Sequence, residues 1–80
     1  MFETGLRTVG ATIRRLREER GYTQEGFAYH ARLARTFYGR IERGEQNLAL
    51  KTIFQIAIYL GVEPADLLQD VTSKQLETDG

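Results

Sequence analysis

"YTQEGFAYHARLARTFYGRIERGEQNLALKTI" (residues 22–53) is the stretch on which the fold turns. Thr23 stands before Gln24, Glu25 and Gly26 with a hydroxyl able to accept from an otherwise unpaired backbone N–H, which starts a short helix running to about Ala31. Phe27, Ala28 and Ala31 face inward on that helix. Residues 32–34 then break the pattern. It resumes with Phe37 or Tyr38, continues with Ile41 and stops at Gly44, so the next helix is only about ten residues long. Phe37 and Tyr38 are adjacent and cannot both face inward; Tyr38 is assigned to the core and Phe37 to the opposite face.

Working outward, Leu6, Val9, Ile13 and Leu16 recur at helical spacing and line one side of a first helix that ends near Gly21. Downstream, Ala49 or Leu50 opens a fourth helix that carries Ile53, Ile56, Ala57 and Leu60 on one stripe and closes at Gly61. Pro64, the only proline, suits the first position of a last short helix containing Ala65, Leu67 and Leu68. Residues 72–80 are polar and aperiodic, which predicts a flexible C-terminal tail. No segment alternates with a period of two, so the expected fold is all-α with five helices, as one domain over residues 1–71.

Composition narrows the function. Eighty residues make one small domain, and without cysteine neither a disulfide nor a thiolate metal site is available to it. No apolar run approaches the roughly 20 residues that span a bilayer, and the N-terminus lacks the order of a signal peptide, so a cytoplasmic protein without a membrane partner is expected. Net charge is zero, yet residues 1–43 hold nine arginines against five acids and residues 44–80 hold two lysines against six acids. A neutral total therefore does not exclude a basic face. His30 is the lone histidine, and Glu18 and Glu19 point about 100° apart on a helix, so no acid/base pair, nucleophile or metal site is expected and the chain reads as no enzyme. No cofactor or small-molecule ligand is expected either.

Two short helices joined by about four residues, the second rich in arginine, have the form of a helix-turn-helix, here at about residues 23–43. Together with Thr23-Gln24-Glu25, Arg35-Thr36, Arg40-Ile41-Glu42-Arg43-Gly44 and Asn47, this resembles the lambda-repressor-like, or XRE, family of transcriptional regulators over roughly residues 7–70. Within that family the opening Arg35-Thr36-aromatic and the pair Asn47-Leu48 look most like restriction-modification controller proteins. The resemblance implies that Arg35, Thr36, Phe37 and Arg40 read base edges, Phe37 against a thymine methyl and arginine against guanine, whose O6 and N7 match its fork. It implies backbone contacts from Gln24, at the family's phosphate-clamping place, and from Arg43, Gln46 and Asn47. It makes Arg17 and Glu42 a partly buried ion pair between the first and third helices. For Arg40 the alternative is an ion pair with Glu45 or another acid.

Two positions depart from the family pattern. Arg32 stands where a glycine usually turns the chain, and a left-handed conformation there would cost about 1–2 kcal/mol. Ala34 stands where a serine or aspartate usually caps the third helix, a loss of about 0.5–2 kcal/mol. In the fourth helix Phe54 and Ile58 form a stripe beside the core stripe; with Tyr59 and Leu67 or Leu68 they predict a two-fold dimer interface, the alternative being that the last helix covers them. Such a dimer would set two recognition helices about 34 Å apart, matching palindromic double-stranded DNA. The expectation is a homodimeric, sequence-specific DNA-binding regulator of a promoter or operator. The alternative is an antitoxin-like protein-interaction module on the same fold, marked by a longer amphipathic tail than this chain has.

Overall fold

The computed structural model describes residues 1–79, with five α-helices and one 3-10 turn in the order α1 (Glu3–Glu19), α2 (Gln24–His30), α3 (Arg35–Glu42), α4 (Leu50–Leu60), the 3-10 turn (Pro64–Leu68) and α5 (Ser73–Asp79). The all-α class and the four longer expected helices stand as the spacing predicts. Val9, Ile13 and Leu16 of α1 meet Phe27 and Ala28 of α2, Tyr38 and Ile41 of α3, and Ile53, Ile56, Ala57 and Leu60 of α4 in one core.

Each of α1 to α4 ends in the same way. The N–H groups of Gly21 and Tyr22, Arg32 and Leu33, Gly44 and Glu45, and Gly61 and Val62 turn back to carbonyls in the last turn of the preceding helix. This is the Schellman arrangement, which needs a left-handed residue directly after the cap. Glycine fills that place three times, with φ of 78°, 73° and 74°, and Arg32 fills it once with φ 61°. The strain anticipated at Arg32 is therefore present. At Ala34 the backbone is extended and no side chain caps α3, as anticipated; at Thr23 the hydroxyl oxygen accepts from the Gly26 N–H at 2.9 Å.

Long side chains lock these ends to neighbouring helices. Gln55 donates to the Ala31 carbonyl at 2.6 Å, and Arg20 donates to the Leu60 carbonyl at 2.6 Å. Helix α1 crosses the end of α3 so closely that a Cβ on Gly10 would stand 2.5 Å from the carbonyl oxygens of Ile41 and Glu42.

Two expectations are corrected beyond Gly61. The last short helix is a 3-10 turn in which Glu63 and Asp66 cap each other and Leu67 is completely buried. Leu67 is thus core and cannot serve a dimer surface, because a single turn has one inward position and Leu67 occupies it. Residues 73–79 form α5 instead of an irregular tail, for a reason visible in retrospect: Thr72 and Gln75 make a reciprocal capping box, with N···O distances of 3.2 and 3.4 Å. Leu76 then packs on α1 where Gly5 leaves room. Gly80, the end of the expected tail, lies outside the described residues.

Candidate nucleic-acid interface

The N-terminal half of α3 presents Arg35 and Thr36 to solvent, with Phe37 half-buried beside them. Arg40, one turn further on, is exposed on the same helix. Tyr38, at 0% exposure, enters the core as expected, but Phe37 does not stand wholly on the opposite face: it packs, partly buried, against the edge of the same core. Helical period explains the division: residues 38, 41 and 42 lie inward, so 36 and 40 must lie outward.

Beneath this face lies a buried polar network. Arg17 clamps Glu42 with both sides of its guanidinium, Nε to Oε2 at 2.7 Å and Nη2 to Oε1 at 3.0 Å. The Tyr38 hydroxyl also donates to Glu42 Oε2, and Gln24 Nε2 donates to Oε1 at 3.0 Å. Arg17 spends its remaining side on the Tyr22 carbonyl at 2.7 Å. One carboxylate thereby ties α1, α2 and α3 together, and the ion pair expected between Arg17 and Glu42 is in place. Burial works against the Glu42 charge, yet the hydrogen bonds from Arg17, Tyr38 and Gln24 outweigh it and hold the carboxyl below its ordinary value. The bond to Glu42 in turn raises the Arg17 guanidinium, and burial first, then the same carboxylate, pushes the Tyr38 hydroxyl far up, so it remains a donor.

Gln24 is consequently turned inward, its amide nitrogen committed to Glu42. Arg43 is exposed and reaches Glu45 at 3.1 Å. Asn47 is exposed, and half-buried Gln46 donates to the Asn47 carbonyl at 3.4 Å. The loop holding these residues is pinned at Gly44, which has φ 73° and no space for a Cβ, since the Arg7 backbone would lie 2.6 Å from it. Among the described residues, Arg40 pairs with neither Glu45 nor another acid.

Two side chains join this surface that spacing alone does not reveal. Glu25, on α2, accepts a hydrogen bond from Arg35 on α3. Arg7, exposed on α1, lies against Gly44 and adds a cation beside the loop. Neither pairing follows a helical i, i+4 rule, so only the crossing of the helices brings them together.

His30, exposed at the end of α2, stacks on Tyr22 with ring centroids 5.1 Å apart and meets Tyr59 edge-on at 5.1 Å. On α4, Leu50, Phe54 and Ile58 are 69%, 48% and 72% exposed at successive i, i+4 positions, a continuous apolar stripe. Leu68 is 48% exposed, whereas Tyr59 is half-buried against the core. Among the described residues no helix is long and apolar enough to cross a membrane, and no cluster of three or more histidine, cysteine or acidic side chains is placed to hold a metal ion.

The profile of the helix-turn-helix family matches residues 13–67. Control protein C.BamHI of Bacillus amyloliquefaciens is 39% identical over 64 residues, which cover 79% of this chain and 79% of that protein. The crystal structure of the restriction-modification controller protein C.AhdI from Aeromonas hydrophila matches with a TM-score of 0.75 at 37% identity, over 78% of this chain and 94% of that one. The controller protein C.Esp1396I, solved as a tetramer in complex with its natural 35 base-pair operator, matches with a TM-score of 0.73 at 34% identity, over 89% of this chain and 93% of that one.

Proposed function

The chain belongs to the helix-turn-helix family, in its lambda-repressor-like (XRE) branch, and on that premise we propose that it is a sequence-specific DNA-binding transcriptional regulator of the restriction-modification controller type. It acts as a homodimer on palindromic promoter or operator DNA. The observation that carries this is the exposed face of α3, where Arg35, Thr36 and Arg40 stand on a helix fixed from below by the Glu42 network. Rigid support of this kind is what base reading requires, because an arginine fork discriminates guanine only when its origin is held in place. The operator-bound tetramer of C.Esp1396I supports the same role for a chain matching it over nearly its whole length.

In this role Arg35, Thr36, Phe37 and Arg40 read bases, while the start of α2 at Gln24, together with Arg43, Gln46 and Asn47, holds the phosphate backbone. Leu50, Phe54, Ile58 and Leu68 supply the two-fold interface, with Tyr59 at its edge. Residues 1–71 are the DNA-binding unit and α5 is appended to it. The protein works without a catalytic step or cofactor, in the cytosol or nucleoid where its operator lies.

Selection of bound duplexes from a random pool is the decisive experiment, followed by anisotropy titrations at several salt concentrations. Selected sequences should be palindromic, and affinity should fall by about 0.9 log units per log unit of salt for each phosphate neutralised. Arg35→Ala should relax base preference, whereas Arg43→Ala, at an exposed residue assigned to the backbone, should weaken binding to all duplexes alike. Absence of binding to every duplex, or no enrichment of any sequence, would sink the proposal.

A further inference from the structure

Arg35 is exposed but engaged. Its Nη1 donates to Glu25 Oε1 across the turn, and the two side chains are 66% and 68% exposed. The pair is electrically neutral and sits at the outer edge of the helix-turn-helix. Arg40, on the same helix, stands without an acid partner among the described residues. The two base-reading arginines therefore start from different states, one occupied and one free.

We propose that Glu25 is a positioning residue for base discrimination, holding Arg35 in place of a guanine edge until a matching sequence takes it over. The inference rests on the assignment of α3 as the recognition helix. A guanidinium carries five N–H donors, and Glu25 engages one of them. A guanine offers O6 and N7 together, so it replaces one bond with two and repays the exchange. On unrelated DNA the pair stays closed, and two consequences follow. Arg35 is withheld from the phosphates, and its charge is cancelled there by the Glu25 carboxylate. Both lower binding to unmatched sequence more than binding to the operator, so the acid raises discrimination while lowering total affinity. An exposed pair of this kind shifts an equilibrium by up to about five-fold, which sets the size of the effect.

The test compares wild type, Glu25→Gln, Arg35→Ala and the double variant. Each is titrated by fluorescence anisotropy against a duplex selected from a random pool and against a shuffled duplex of equal length. Circular dichroism melts of all four proteins confirm that each is folded. Glu25→Gln should bind the shuffled duplex about three- to five-fold more tightly and change affinity for the selected duplex less, so that the ratio of the two falls. Its salt slope on the shuffled duplex should steepen by about 0.9, the signature of one more phosphate neutralised. In the Arg35→Ala background the same change should leave the ratio unaltered, because the residue through which Glu25 acts is gone. A ratio unchanged by Glu25→Gln, or changed equally with and without Arg35, overturns the role of Glu25 while leaving the regulator function intact. Wild-type protein that fails to bind the selected duplex overturns the function itself.

Discussion

Arg32 shows how much a single residue can be asked to do. It takes the left-handed place that Gly21, Gly44 and Gly61 take after the other three helices. A side chain in that region costs about 1–2 kcal/mol, partly offset because arginine restricts the unfolded chain more than glycine does. Arg32→Gly should therefore stabilise the protein by about 0.5–1 kcal/mol, read as a rise of a few degrees in melting temperature. A lower melting temperature would show that the exposed guanidinium makes a compensating contribution. At this scale the sequence was informative where chemistry is local. The cap at Thr23, the missing cap at Ala34 and the strained turn at Arg32 are each properties of a few consecutive residues. The engagement of Arg35 by Glu25 was not legible, because it depends on how two helices cross.

Among the elements, α5 is the least secure, and a short one by any measure. Seven residues are too few to form a helix unaided, so its order depends on the Thr72–Gln75 box and on Leu76, its only large apolar residue. Leu76→Ala should remove that anchor, costing about 1 kcal/mol, less than a fully buried leucine because the site is half exposed. The check is a loss of helical circular dichroism confined to the last element, with hydrogen exchange at α1 to α4 unchanged. If exchange accelerated throughout, α5 would instead be part of the cooperative core. The apolar periodicity that located α1 to α4 could not find α5, since one leucine makes no period. Its capping signature, Thr-x-x-Gln, was present in the sequence all the same.

For the whole molecule, the Glu42 network and the α4 stripe set the largest effects. Because Glu42 sits below its ordinary value of 4.5 in the fold, its contribution to stability is present above that pH and is lost as pH falls through the lower folded value. Glu42→Gln should cost about 3–5 kcal/mol at pH 7, since it leaves a buried arginine without its counter-charge. The gap between variant and wild type should narrow below about pH 4.5, measured by urea denaturation across a pH series. A gap constant down to pH 3 would mean that the carboxylate is not what stabilises the crossing of α1 and α3. Ile58→Asp, placed in the exposed apolar stripe, should shift sedimentation from dimer to monomer and weaken operator binding while leaving the fold intact, because Ile58 is 72% exposed within the single chain. Unchanged sedimentation would move the interface elsewhere.

The sequence by itself determined the four main helices, their inward faces, the helix-turn-helix and the pairing of Arg17 with Glu42 through family resemblance, because helical period and end signals are encoded within a few residues of one another. It also placed Tyr38 in the core, although Phe37 packs partly against that core as well. What only the tertiary structure decided was which residues meet across the fold: Leu67 closing the core while Leu68 stays outside, Leu76 seated on Gly5, Gly10 against the end of α3, and Glu25 on Arg35. Those contacts depend on the angles and distances at which helices cross, which are set by the packing of the whole core and leave no short-range pattern in the chain.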